Sequence, residues 1–459
     1  MKLFLPLTVL ILMLSLTLSG QESFTLDQAK QYALKNSLNL KNKQLDLRDV
    51  NGQLKEYTAI GLPKLQASAS YNYFLKIPTN IFPDFIEPAI YDVLFDENLL
   101  PRRDLPAPGG VPVQFGTKHN FSAGLELNTL LFDGVFFLGL KAQRMYRELI
   151  LRQITLEESS VKHDVSLAYL SALVLEENIQ IVNRNLENLR KVKQEVTEIH
   201  RAGFLEKLDV DRLDLSVSNL EAELQNLQKL TYVSKNVLKF KMQYPLDKEI
   251  VLSDRLASLV NSTYLEVMDP AMGLNLEVRP EFPVLQQSLR LAEINIKRYQ
   301  MSYYPSLYGF ATYQQSLQRN KLFDENDNGW FPSSNVGVQL SWPLFTGFDR
   351  TAKIERARVT LERTKVQFTS FEQGAQLEFT NARTSYVNAM VTLENRKKLV
   401  GLAEKIYETA KIKFREGVGS SLEVTSAERD LYLSQANLVE SQFQLVQAKV
   451  NLEKSLGKI

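Results

Sequence analysis

Apolar positions along the chain keep two different periods. Between Phe24 and about Ala59 they fall at three- and four-residue spacing, which predicts a helix. Thr25-Leu26-Asp27-Gln28 opens it, and Leu26, Ala29, Ala33 and Leu34 form its apolar stripe. Gly61 and Pro63 end it, and the period drops to two. Leu65, Ala67, Ala69, Tyr71, Tyr73 and Leu75 alternate with Gln66, Ser68, Ser70 and Asn72, a strand with one apolar and one small polar face. The segment from Lys76 to Thr117 holds Pro78, Pro83, Pro88, Pro101, Pro106, Pro108 and Pro112 with Gly109-Gly110, and is expected to be a long irregular excursion. Alternation resumes with Phe121, Ala123, Leu125 and Leu127 against Asn120, Ser122, Glu126 and Asn128, and this strand ends at Leu131-Phe132-Asp133-Gly134.

From about Gly139 a helical pattern runs without proline to His200, roughly 60 residues and about 90 Å. It breaks at Arg201-Ala202-Gly203-Phe204-Leu205 and resumes as a seam of Leu213, Val217, Leu220, Leu224 and Leu227 that reaches about Lys241, before Pro245. Residues 246–280 read as a connecting region of short helices and turns. The order then repeats. A helix is expected from Glu281 to Gln300, and Tyr304-Pro305-Ser306-Leu307 matches Leu62-Pro63-Lys64-Leu65. A strand follows to about Ser316, then a polar loop with Asp324-Glu325-Asn326-Asp327-Asn328-Gly329. The next strand sets Val336, Val338, Leu340 and Trp342 against Asn335, Gly337, Gln339 and Ser341, and Leu344-Phe345-Thr346-Gly347 matches Leu131-Phe132-Asp133-Gly134. A second long helix runs into Arg415-Glu416-Gly417-Val418-Gly419, and Leu431, Leu438, Leu445 and Leu452 continue beyond it. Aligning Gly203 with Gly417 lays Arg201 on Arg415, Leu208 on Leu422, Asp209 on Glu423 and Val210 on Val424. The chain thus reads as an internal duplication, residues 21–245 and 281–459 on either side of the connecting segment, each half ending in a long helical hairpin. The glycines supply the left-handed turns at the tips, and Asp209 and Glu423 sit near positive helix starts.

Composition narrows the chemistry. The 459 residues contain no cysteine, which excludes disulfides, thiolate metal sites, cysteine nucleophiles and a lipid-anchored N-terminal cysteine. A formal charge of +1 gives no electrostatic case for a nucleic-acid partner. His119, His163 and His200 lie far apart along the chain, so no metal site is expected, and the carboxylates show no pairing suited to acid–base catalysis. Gly417-Val418-Gly419-Ser420-Ser421 lacks the lysine and spacing of a phosphate loop and follows a helix, so no cofactor is expected there. Lys2, the apolar run Leu3 to Leu18 and Leu18-Ser19-Gly20 predict an export signal over residues 1–20. No later stretch reads as a transmembrane helix, so a spanning part must be built from strands. Four strands cannot close a barrel, and open edges cannot sit in lipid, so several chains must pool their strands.

In this order, Phe24-Thr25-Leu26-Asp27-Gln28-Ala29, Pro63 and Pro305, Arg279-Pro280-Glu281, Trp342-Pro343-Leu344-Phe345-Thr346-Gly347 and the two glycine tips resemble the TolC-like outer-membrane efflux family over essentially the whole mature chain. The resemblance implies a mainly α fold with transmembrane strands. Three chains would form a twelve-stranded barrel in the outer membrane of a Gram-negative bacterium and an α-helical periplasmic tunnel. It implies a non-enzymatic efflux duct, driven by an inner-membrane pump through a periplasmic adaptor.

It further implies that Ala202, Gly203, Phe204, Glu416, Gly417 and Val418 meet the adaptor, and that Asp209 and Glu423 ring the periplasmic entrance. The period-two face with Leu65, Ala67, Tyr71, Leu125, Leu127, Val338 and Leu340 would meet membrane lipid. The chain departs from the best-known members at Ser426, where they carry a second aspartate, and at Phe414, where they carry a tyrosine. Two other readings stay open: the outer duct of a type I protein-secretion system, and a soluble periplasmic coiled-coil protein. The alternating strands argue against the last, because a soluble helical rod has no use for them.

Overall fold

A serine divides the first expected helix. In the computed structural model, which describes residues 22–83, 86–104, 110–260, 273–323 and 329–459, β1 (Glu22–Phe24) leads into α1 (Leu26–Asn36) and α2 (Leu38–Ala59). The expected export signal lies outside the described residues. Thr25 and Gln28 form a reciprocal capping box at the start of α1. Ser37 leaves helical geometry at ψ 122°, closes α1 through its N–H to Ala33, and accepts the Leu40 N–H at 3.3 Å on its hydroxyl. One side chain thus ends one helix and starts the next, where the apolar spacing predicts a single helix to Ala59.

The remaining elements follow in chain order. They are β2 (Lys64–Tyr73), β3 (Thr79–Pro83), α3 (Ile86–Asp96), β4 (Gly110–Gln114), β5 (His119–Phe132), α4 (Gly134–Arg201), α5 (Lys207–Met242), β6 (Ile250–Leu252) and α6 (Leu256–Val260). A 3-10 turn over Leu276–Val278 precedes α7 (Glu281–Met301), β7 (Ser306–Arg319), β8 (Trp330–Ser341), α8 (Asp349–Arg415) and α9 (Ser421–Ser455). The series helix, two sheet strands, long helix, hairpin partner therefore occurs twice. At 68 and 67 residues, α4 and α8 are each about 100 Å long. The first begins five residues before the expected Gly139, because the Asp133 carboxylate accepts the Val135 N–H at 2.7 Å and caps it.

Two units compose the fold. One, within Met1–Asn51, Arg144–Glu293 and Val359–Ile459, is helical. Its interior joins Val165, Tyr169, Leu170 and Leu173 of α4 to Phe24, Ala29, Ala33, Leu238 and Ile250. Tyr169 is fully buried; its hydroxyl donates to the Phe24 carbonyl at 2.8 Å and to Asp254 at 3.0 Å. Asp254 also accepts the Leu26 N–H at 2.6 Å, and β1 pairs in parallel with β6. The connecting segment is thereby fixed to the start of the described chain. The helix α4 does carry a stretch long and apolar enough to cross a membrane, contrary to the composition reading, but more than half of it is buried in this interior. In the seam of α5, Leu213, Val217, Leu220 and Leu227 are buried, as are Leu431, Leu445 and Leu452 of α9. Each such leucine contributes on the order of 2 kcal/mol.

The other unit, Gly52–Gln143 with Ile294–Arg358, holds an antiparallel sheet in the order β2-β5-β7-β8. Among the described residues, neither β2 nor β8 has a second neighbour, so both edges are open. The excursion between β2 and β5 is not structureless: β3 and β4 form a hairpin with Ile81 opposite Pro112, and α3 lies between them. Its prolines are compatible with that. Pro88 falls in the first turn of α3, where its missing N–H costs no intrahelical bond, and Pro83 ends β3. The two strand exits also differ. Asp133 caps α4 directly, whereas Gly347 and Phe348 both take left-handed φ, 59° and 66°, before α8.

Candidate functional site

The two hairpin tips are built alike. Gly203 and Gly417 have φ of 84° and 76°, in the left-handed region. After Gly203, Phe204 N–H returns to the Ile199 carbonyl at 3.1 Å and Gly203 N–H to His200 at 2.8 Å. After Gly417, Val418 N–H returns to Lys413 at 3.0 Å and Gly417 N–H to Phe414 at 3.1 Å. Both are Schellman closures that satisfy the last carbonyls of α4 and α8. Open space surrounds both α-carbons, so backbone conformation alone requires glycine there. The turns push Phe204 and Val418 outward, 81% and 79% exposed, with Ala202 and Glu416 exposed before them. Leu208 and Leu422, also exposed, extend each apolar point by one turn.

The two candidate entrance acids occupy different settings. Asp209 accepts a hydrogen bond from the Ser421 hydroxyl, which ties the first tip to the second, and Arg212 approaches it at 3.9 Å. Glu423 is exposed and lines an open groove of about 430 Å³ with Lys405, Lys413, Ser426 and Asp430. Its backbone N–H is held at 3.2 Å by Ser420, the cap of α9. The corresponding cap of α5, Glu206, makes no side-chain cap bond. Arg415 crosses to Glu195 on α4 at 3.0 Å and braces the tips a second time.

Sequence reading passed over Glu428. It stands in the apolar stripe Val424-Ala427-Glu428-Leu431 and is 5% exposed. Its Oε1 atom is buried without a hydrogen-bond partner, and burial pushes its carboxyl up to about 7. Tyr407 of α8, also buried, is pushed up to about 12 by burial and by the charge of Glu428. An acid at a helical core position was the signal available in the sequence.

Cross-strand register puts all seven candidate membrane-facing residues on one face of the sheet. One row reads Leu65, Leu127, Ala311, Val336; the next reads Ala67, Leu125, Tyr313, Ser334; Val338 and Leu340 continue it opposite Gly309 and Leu307. A further row is Tyr71, Phe121, Leu317, Trp330, with Phe121 and Trp330 edge to face at 5.7 Å. The opposite face carries Gln66, Glu126, Thr312 and Asn335 in one row and Ser70, Ser122, Ser316 and Phe331 in another. The histidines are engaged elsewhere: His119 with the Tyr71 hydroxyl at 2.8 Å, His163 with Asn451 at 3.0 Å, and His200 with the Leu205 carbonyl at 2.7 Å.

Known proteins share part of this sequence and most of this fold. Residues 272–458 match the family model described as outer membrane efflux protein. Over 187 residues the chain is 23% identical to the probable efflux pump outer membrane protein TtgC of Pseudomonas putida, covering 40% of this chain and 37% of TtgC. It is 22% identical to the cation efflux system protein CusC of Escherichia coli over 207 residues, 44% of each chain. The sequence matches thus span less than half the length of these curated relatives. Solved structures extend the likeness: the outer membrane protein VceC of Vibrio cholerae aligns with a TM-score of 0.69 at 18% identity, over 94% of this chain and 96% of that one. The CmeC outer membrane channel of Campylobacter jejuni aligns at 0.72 and 15% identity, over 94% and 85%. The resemblance to the outer membrane efflux protein family therefore holds, in sequence across the second half of the chain and in fold across nearly all of it.

Proposed function

We propose that the chain is one protomer of a trimeric outer-membrane duct for small-molecule efflux. The observation that carries this reading is the four-stranded sheet with open edges, one apolar face and one polar face, in a chain that also carries two long helical hairpins. Unpaired edges cannot remain in hydrocarbon, so β8 of one copy pairs with β2 of the next, and the sheet closes only through its neighbours. At ten residues, β2 is about 33 Å long, enough to cross the apolar band when tilted. The Tyr71, Phe121 and Trp330 row supplies aromatic anchors at one boundary. The halves 21–245 and 281–459 act as duplicated units, each giving two strands and one hairpin. Energy comes from an inner-membrane pump, and the apolar tip points Phe204 and Val418 meet a periplasmic adaptor. The duct has no chemistry of its own to perform. Membrane fractionation followed by detergent extraction tests the reading: the chain is expected in outer membrane as a heat-sensitive trimer. Recovery as a soluble periplasmic protein would favour the coiled-coil alternative.

A further inference from the structure

The duplication gives a direct comparison of the two hairpins. The alignment that lays Gly203 on Gly417 lays Lys193 on Tyr407 and Asp214 on Glu428. In the first hairpin these positions form an ion pair between α4 and α5, Lys193 with Asp214, and both side chains are more than a third exposed. In the second, the cation has become a phenol, the acid is longer, and both are buried. A half-exposed ion pair in one hairpin is matched by a buried acid and a buried phenol in the other.

We propose that Glu428 is a pH-sensitive latch of the second hairpin. As a neutral acid it packs beside Tyr407 in the apolar interior; once ionised it must move toward water and loosen α8 from α9. The first hairpin, held at the same positions by Lys193 and Asp214, stays closed.

Among the described residues, no ion pair holds the Glu428 carboxyl, and its Oε1 atom has no hydrogen-bond partner. From α8 the group beside it is Tyr407; Glu408 and Arg415 act on that same phenol, and Lys411 lies over its ring at 5.7 Å, paired with Glu408 at 3.8 Å. From α4 comes Glu195, already paired with Arg415. On α5, Asp209 is bound to Ser421, Arg212 approaches Asp209, and Asp214 is paired with Lys193 of α4; Lys207 and Asp211 complete the charges of its first two turns. On α9 itself, Glu423 and Asp430 line the open groove instead of the interior. An ionised Glu428 would therefore lie buried without a partner, the most costly arrangement for a charge.

The direction follows by linkage. The carboxyl sits above its ordinary 4.5, so the closed hairpin keeps a proton that a loosened hairpin releases. Closure is favoured in acid and weakens as pH rises from about 4.5 to about 7. A drop in periplasmic pH would thus tighten one hairpin of each protomer selectively. That consequence rests on the duct reading, but the latch is measured without it.

The experiment is amide hydrogen exchange on the full-length protein in detergent at about pH 5.5 and about pH 8, corrected for intrinsic chemical rates. In the wild type, protection around residues 403–431 should fall at least about tenfold at the higher pH, while residues 189–217 change little. Glu428→Gln, neutral at both values, should keep its protection. Tyr407→Lys combined with Glu428→Asp, which installs the first hairpin's pair in the second, should also remove the pH dependence. Equal loosening of both hairpins in the wild type, no change in either, or an undiminished pH response in Glu428→Gln overturns the latch. The wild-type comparison stands even if a variant fails to fold. A failed latch with an intact trimer leaves the duct reading untouched.

Discussion

Asp209 accepts the hydroxyl of Ser421, so the acid at the start of one hairpin's second helix is bound to the residue that opens the other's. Its aligned counterpart Glu423 is instead exposed on the groove between α8 and α9. Two acids that the duplication makes equivalent therefore act differently. A charge-assisted hydrogen bond at a site only a fifth exposed contributes about 1–2 kcal/mol. Asp209→Ala and Ser421→Ala should each loosen the tips, and a double-mutant cycle read by thermal unfolding should show coupling between them. Independent, additive effects would remove the tie.

In the proposed duct, Glu423 is the more exposed of the two acids and the one that meets passing ions. Three copies around a trimer axis would attract cations through low-dielectric walls. Glu423→Ala should lower cation selectivity and multivalent-cation block in planar bilayers, with trimer assembly unchanged. Asp209→Ala should change selectivity less. The reverse order would place the entrance charge on Asp209.

Gly417→Val meets no atom, since the space around its α-carbon is open. It must nevertheless hold a β-branched residue at a φ of 76°, at a cost of about 1–3 kcal/mol. The Schellman turn should open, weakening adaptor crosslinking at the tip while leaving barrel insertion intact. Gly417→Asn, which tolerates left-handed geometry, should retain most of the crosslinking. Full crosslinking and export in the valine variant would show that the adaptor does not depend on this turn.

The faces of the sheet make a fourth prediction. Leu125→Arg should cost about 2–4 kcal/mol if the residue lies near the bilayer midplane, and assembly of the heat-sensitive trimer should fall with it. Ser122→Arg, on the opposite face, should be far milder. Equal damage at both positions would erase the face assignment.

Much of this architecture was legible because its periods are strong. Leu65 to Tyr73 alternates cleanly, and Leu213, Val217, Leu220 and Leu227 hold one seam, so strands and hairpins follow from local pattern. The glycine tips were legible for the same reason: glycine at a break between two long helical patterns has few other uses. What escaped depends on particular hydrogen bonds and on partners distant in sequence. Ser37 breaks a helix that apolar spacing alone would continue, through bonds its hydroxyl makes locally. The strands β3 and β4 stabilise each other across a proline-rich segment in which neither has a clear period. Asp209 reads as a helix-start acid until Ser421 is brought against it from the other half of the chain. Glu428 stands in the apolar stripe of its helix, so its position was legible, but its burial without a partner shows only once the helices are packed.

The most direct test of the account is the oligomeric state of the sheet in its membrane. The chain has no cysteine, so single cysteines introduced on the open edges, one on β2 and one on β8, report only contacts between copies. In native outer membranes, oxidation of such paired variants should give covalent species ending at three chains, and the uncrosslinked protein should run as a heat-sensitive trimer in mild detergent. A monodisperse monomer that resists proteolysis, with no crosslink between the two edges, would contradict the account.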